Sequence, residues 1–485
     1  MMKKTALLTF VFGFGCLLAC DTVHKVDWSN RPVSFKVVVK PVEGETLGSR
    51  QDPLKLPEKA GVKVLVSIDT YGAEEDAEYL EDLWVLLSVR PGKLTVASGD
   101  GRYGNHVLLK GGKVRDVPVT LKAVFGETRV WVEDVGYLPR TAAGRKVLCS
   151  NEIDDNGNGL TDFPMDPGCY DADDDSEEPG SGAAGVSNPV WIANPTLAQV
   201  QGYADVTPYQ GETITVDSGD MVVTRVTFDG MYVTDIADDM ERGYNHMYVY
   251  NFNPPMSVPL CEMDEYEGGS CQGERPVKVR VCDRLTRLTG IVSEFYKFTE
   301  LNFPAWELEL WDPSKGPCMV PEPEVITGSD INSGLERLEA GLVRVVNAEI
   351  GRKENMVNCD LDGNGVVDFR EYSTNQCSEE CQCREACDGD PACTEYNQYL
   401  QYGQWPLNVG GVKLWVSSGE SVPDFDPFNT ELPKKIASVT GTLKNLSFLR
   451  PKGWILEPRC MDDIVISGAP KPSTEACVEP RTEKE

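Results

Sequence analysis

The chain has 485 residues, 77 of them acidic against 46 basic, for a formal net charge of −31. A field of that sign repels nucleic acid and anionic lipid and attracts divalent cations, which argues against polyanionic partners. With 41% hydrophobic residues and aromatics throughout, the chain can bury the cores of about three domains and is no disordered acidic tail.

Residues 1–19 read as an export signal. Met1-Met-Lys-Lys gives the basic start and Ala6 to Leu18 the apolar run, which is too short to span a bilayer. Leu17-Leu-Ala-Cys20 resembles the lipobox of bacterial lipoproteins, although Leu18 is bulkier than usual at its position. The resemblance implies that Cys20 becomes a lipidated first residue and that residues 20–31 tether the mature chain to a membrane of the cell envelope. The outer membrane or cell surface is the expected location. Of sixteen cysteines, Cys16 leaves with the signal and Cys20 takes lipid. The even remainder suggests disulfides in an oxidising compartment.

From residue 32 to residue 140 the text is a series of short β-rich runs: Val33–Val39, Val62–Ile68, Leu83–Val89, Lys93–Ala97, His106–Leu109, Val117–Val124 and Thr128–Val132. Glycine, proline and aspartate punctuate them and no long helical period intervenes, which predicts a β-sandwich. The segment resembles bacterial immunoglobulin-like domains. That likeness is architectural and implies no chemistry.

Residues 141–187 form an acidic stretch expected to be a linker. Within it Asp154, Asn156, Asn158 and Asp162 stand at the one, three, five and nine spacing of a calcium loop, with Gly159 at the turn and the Leu160 carbonyl at position seven. Met165 occupies position twelve, so Asp166 is the expected closing carboxylate. The loop resembles thrombospondin type 3 repeats and the cysteine-closed acidic loops of myxobacterial surface proteins. A Cys149–Cys169 bridge would hold its oxygens together and lower the ordering cost of binding an ion. Tyr170 to Glu178 is strongly acidic, and Asp171, Asp173 and Asp175 could add oxygens without being assignable.

Two β-rich halves follow, expected at residues 188–325 and 326–470, with a tail at 471–485. Asp283-Arg-Leu-Thr-Arg-Leu-Thr-Gly290-Ile-Val-Ser-Glu294 through Thr299-Glu-Leu301, and Ile436 to Leu443 followed by Glu457-Pro-Arg459 and Asp463-Ile464, resemble the OB-fold-like domains of large secreted bacterial nucleases. The resemblance implies two OB-like barrels, here without the nuclease domain. It departs from the pattern at Cys282, where the family has glycine. Gly290 and Gly441 are placed where a strongly bent barrel strand needs them. An OB barrel can bind oligonucleotide or oligosaccharide, and Tyr232, Tyr248, Tyr250 and Trp415 could stack on such a ligand. Alternating aromatics are more often core, and no basic groove accompanies these.

Inside the second half, an insertion at 350–408 carries the most specific motif. Asp360, Asp362, Asn364, the Val366 carbonyl, Asp368 and Glu371 fill every ligand slot of an EF-hand-like Ca²⁺ loop, and Gly365 supplies its turn. The flanks are weak helices, so the expectation is a stapled structural site and not a paired, opening sensor. Cys359, Cys377, Cys381, Cys383, Cys387 and Cys393 surround it and read as disulfide partners before zinc ligands. Cys460 and Cys477 are placed to pin the tail.

No catalytic constellation emerges. His24, His106 and His246 are the only histidines, and Glu294 with Glu300 lie in a phrase that recurs as structure. The expectation is a mainly β, lipid-anchored, non-catalytic envelope protein that binds Ca²⁺ and an unknown protein or glycan partner. The competing readings are an OB-fold binder of extracellular nucleic acid or polysaccharide, and a secreted hydrolase.

Overall fold

A computed structural model describes residues 32–56, 61–72, 79–136, 147–177, 180–238, 240–257, 276–350, 395, 398–399, 401–429, 431–446, 453–479 and 481. The described chain is mainly β and divides into two compact units. The first comprises Met1–Leu47, Lys63–Leu121 and Thr128–Val190; the second comprises Gly48–Val62, Lys122–Glu127 and Trp191–Glu485.

In the first unit the expected strands form with bounds moved by a few residues. The hydrogen-bonded order is Lys93–Val96, Lys113–Lys122, Val62–Tyr71, Ser34–Pro41, Ala184–Val186, Gly126–Glu133, Leu83–Arg90, His106–Leu109, Arg102–Tyr103. A single parallel pair, Ser34 with Ala184, joins two antiparallel groups. Alternation drives the burial. Phe35, Val37 and Val39 are buried while Ser34, Lys36 and Lys40 are exposed, as a sheet with one apolar face requires. The acidic stretch expected as a linker belongs to this unit, because the chain leaves its loop and returns to the sheet as Ala184–Val186.

The second unit holds two closed circuits of strands. In the first, Met221–Val226, Gly230–Asp235, His246–Tyr250, Phe298–Glu309 and Arg284–Phe295 pair in that order, and the last pairs back to the first. In the second, Leu342–Ile350, Gln404–Val409, Val412–Ser417, Gly453–Glu457 and Lys435–Leu446 do the same. Each circuit has one parallel junction, between its third and fourth strands in that order. Closure removes free sheet edges. Each barrel has its own apolar core, one around Val223, Val233, Leu288 and Leu301, the other around Val345, Trp405, Leu414 and Leu443.

Gly290 and Gly441 sit where backbones nearly touch. A Cβ at Gly290 would lie 2.6 Å from Leu301 Cγ, and one at Gly441 would lie 2.5 Å from the Glu457 carbonyl oxygen. The register of the long hairpin shifts between Thr289 and Ile291, a bulge at the bend. The insertion assigned to 350–408 ends earlier than expected. Gln404–Val409 is a barrel strand, buried continuously from Gln404 through Leu407, Pro406 included, and again at Val409.

A buried ion pair ties the barrels together. Arg225 of the first donates to Glu457 and Thr442 of the second, and Tyr232 donates its hydroxyl to Glu457 at 3.0 Å. Glu457 is held below the usual carboxylate range: burial opposes this, and the Arg225 charge is the largest effect favouring the anion. Among the described residues no helix is long and apolar enough to cross a membrane.

Candidate metal centre

The loop between residues 147 and 177 is fastened at its base before any side chain turns inward. Leu148 and Cys149 donate their N–H groups to the Asp174 carbonyl at 3.0 and 3.2 Å. Cys149 and Cys169 form a disulfide, with Cα atoms 5.7 Å apart.

Asp154 folds the head of the loop. Its Oδ1 accepts from Gly157 and Asn158 N–H at 2.7 and 3.1 Å, and its Oδ2 from Gly159 N–H at 2.8 Å. Gly157 and Gly159 have φ of 72° and 87°, a region glycine enters without a Cβ penalty. Asn156 Oδ1 takes the Asn158 N–H, and Asn158 Oδ1 takes the Leu160 N–H. The two amide groups converge on Asp166: Asn156 Nδ2 donates to it at 3.2 Å and Asn158 Nδ2 at 3.1 and 3.2 Å.

Asp166 and Glu177 form the interior of the site. They are only 1% and 2% exposed, and ligand atoms of Asp166, Glu177 and Cys169 lie within 4.8 Å of one another. The Cys169 sulfur is committed to the disulfide, which leaves the two carboxylates. Glu177 Oε2 accepts from the N–H groups of Asp155 and Asn156 at 2.6 and 3.1 Å, and Asn156 Nδ2 donates to the Glu177 carbonyl at 2.7 Å. Nearby Asp174 is buried among acids, and desolvation pushes its carboxyl up to about 6, with Asp175 and Asp171 adding to the rise.

Asn156 and Asn158 are thus brought against Asp166, whereas both oxygens of Asp154 are turned onto the backbone of its own turn. Asp162 is turned to another task, accepting from Asn151 and Glu152 N–H at 3.0 and 2.7 Å. Leu160 lies in the turn with a 39% exposed side chain. The sequence reading missed Glu177. With Met165 at position twelve, the acidic run after Cys169 was the place to seek another carboxylate, but its many acids gave no way to choose. Every available side-chain donor here is a hard oxygen, which suits Ca²⁺ and not a thiophilic metal.

The EF-hand-like loop of Asp360, Asp362, Asn364, Val366, Asp368 and Glu371 lies outside the described residues, as do Cys20 and the surrounding cysteines from Cys359 to Cys393. Among the described residues two further disulfides are formed, Cys460–Cys477 on the tail and Cys282–Cys318 beside the first barrel. Tyr232 and Tyr248 are buried and packed together at 4.7 Å, while Trp415 is half-buried. Glu294 accepts from Thr207 N–H and Thr299 hydroxyl, and Glu300 from the Ser293 hydroxyl. No protein-family model, curated protein or solved structure matches this chain.

Proposed function

We propose that this chain is an exported, lipid-anchored, non-catalytic protein of the bacterial cell envelope, stiffened by Ca²⁺ and serving surface binding or adhesion. In this reading the first unit is an immunoglobulin-like sandwich and the two barrels are OB-like. The observation that carries it is the buried pair Asp166 and Glu177, contacted by the Asn156 and Asn158 amides in a loop closed by a disulfide. Two buried carboxylates facing one another repel, and a divalent cation relieves both the repulsion and the desolvation. Asp154, Asp166 and Glu177 would hold the ion, with Asn156 and Asn158 rotating their amide oxygens toward it. The ion would supply charge neutralisation and would cross-link separate parts of the loop. The lipobox-like Cys20 and the cysteine usage support the envelope location.

Polysaccharide binding by the barrels is the second reading. An aromatic run supports it, leading from buried Tyr248 through Tyr250 to exposed Phe252 and Phe303, with successive ring centroids 6.3, 4.4 and 5.2 Å apart. Such rings offer apolar faces to a sugar where an acidic chain would repel nucleic acid.

Calorimetric titration of the full chain carrying Cys20→Ser tests the first reading. Asp154→Ala with Glu177→Gln should remove one Ca²⁺ site, and Asp360→Ala with Glu371→Gln another. Absence of binding at millimolar Ca²⁺, or unchanged binding in both variants, would overturn it.

A further inference from the structure

The second unit contains a hollow lined with basic side chains. It encloses about 590 Å³, within the range of small-molecule pockets. Four cationic side chains line it, Arg225, Lys278, Arg280 and Arg459, against two acids, Asp462 and Glu479. Arg225 and Arg459 are neutralised by Glu457 and Asp463, and Asp462 by Lys471, so the surplus positive charge rests on Lys278 and Arg280 against Glu479. The four cations come from separate stretches of chain. Arg225 lies on the strand Met221–Val226, Lys278 and Arg280 on the approach to Arg284–Phe295, and Arg459 just beyond Gly453–Glu457.

The fold fixes these groups differently. Arg225 and Arg459 form the rigid part, with side chains 5% and 2% exposed and held by Glu457 and Asp463. Arg459 grips Asp463 through Nε and Nη2, both at 2.9 Å, which leaves Nη1 on the Thr224 carbonyl at 3.4 Å. Arg280 donates Nη1 to the Glu479 carbonyl at 3.2 Å, and Lys278 is exposed. Of the two acids, Asp462 is already paired with Lys471 at 2.7 Å. The Cys460–Cys477 bridge holds the tail in place as one wall, and valine side chains supply apolar surface.

We propose that this hollow is an anion-binding site for a phosphate-bearing small molecule or headgroup, with Lys278 and Arg280 as the residues that contact the ligand. Guanidinium groups match the oxygens of phosphate in two-point contacts, and lysine adds a mobile point charge. The enclosed volume and the apolar wall leave room for an organic portion beside the phosphate. This site is independent of the Ca²⁺ loop, which lies in the other unit.

The full chain carrying Cys20→Ser is titrated by calorimetry with inorganic phosphate and with glycerol phosphate. It is also sedimented with vesicles of phosphatidylcholine alone or mixed equally with phosphatidylglycerol. Binding of the soluble phosphates that weakens about tenfold or more in Lys278→Ala with Arg280→Gln supports a free phosphorylated ligand. Binding confined to the phosphatidylglycerol vesicles, and lost in the same variant, supports the headgroup source. Both substituted residues lie outside the Arg225–Glu457 and Arg459–Asp463 pairs, so an unchanged melting profile shows that the variant folds. If that variant unfolds, Lys278→Ala alone must weaken binding. No binding of any of these probes, or binding equal in wild type and variant, overturns the proposal.

Discussion

His246 shows how one buried residue acquires a stability role without touching a ligand. It lies on the strand His246–Tyr250, 4% exposed, with Nδ1 2.9 Å from the Thr234 hydroxyl. Gly341 packs so tightly on the ring that a Cβ there would come within 2.6 Å of it. Burial, with the Arg337 charge adding to it, pushes its pKa down to about 4, against about 6.5 for an unfolded histidine. The folded state therefore binds fewer protons than the unfolded state between those values. Its contribution is complete above about pH 6.5 and is lost as pH falls toward 4, roughly 3 kcal/mol in all. Urea unfolding of the second unit, followed from about pH 7 to pH 4, should fall more steeply for wild type than for His246→Asn, which keeps a polar group toward Thr234. Parallel curves would sink this assignment. Neighbouring acids shift the other way: burial, then Asp205 and Glu294, raises Glu336 to about 7. That is why the difference between the two proteins, and not the wild-type curve alone, is the readout.

Residue identity was legible in the sequence where a side chain serves its own neighbourhood and illegible where distant chain supplies the partner. The spacing of Asp154, Asn156 and Asn158 encodes a local turn, and the structure has it. Glu177 reaches back more than twenty positions to cap Asp155 and Asn156, and no local pattern marks it among the acids around it. Cys282 is intermediate. The resemblance drawn from the sequence made it a departure, and its φ is 79°, a region that favours glycine. The disulfide to Cys318 holds a side chain at a backbone conformation that usually avoids one.

At the scale of elements, alternation set most strands in advance, because an apolar face must be covered whatever the topology. Gln404–Val409 escaped for two reasons: Pro406 reads as a strand breaker, and a cysteine-rich segment precedes it. What alternation cannot encode is closure. Arg284–Phe295 pairs with Met221–Val226, and Leu342–Ile350 with Lys435–Leu446, while the barrels pack too tightly at Gly290 and Gly441 for a Cβ. The close approach at Gly441 can be tested against a glycine with open space around it. Gly441→Ala would drive its Cβ to 2.5 Å from the Glu457 carbonyl oxygen and displace the strand that carries the Arg225 partner. The expected cost is about 1–3 kcal/mol of overpacking. Gly316→Ala meets nothing within 4 Å and should stay within about 0.5 kcal/mol of wild type. Equal urea midpoints for the two variants would show that Gly441 is not a steric requirement of the barrel.

At the scale of the whole molecule the excess of negative charge sets two effects of cations apart. Any salt screens a net charge of −31 and relieves self-repulsion over the entire surface. A Ca²⁺ held as proposed between Asp166 and Glu177 would act locally, and its stabilisation would follow mass action, about 2.7 kcal/mol at a hundred times the dissociation constant. Two compact units need not unfold together, so a single unfolding midpoint would blur the two effects. Limited proteolysis separates them, because cleavage within residues 149–177 reports local opening of that loop. NaCl and CaCl2 at equal ionic strength should protect the barrels similarly from screening. Ca²⁺ alone should slow cleavage in the loop, by up to about a hundredfold at the concentration that gives the 2.7 kcal/mol. The disulfide remains intact throughout, so protection cannot come from chain cross-linking already present without the ion. In Asp154→Ala with Glu177→Gln the loop should be cut at the NaCl rate in either salt. If NaCl protects wild-type loop as well as CaCl2 does, the acidic centre is only part of the general field and holds no ion of its own.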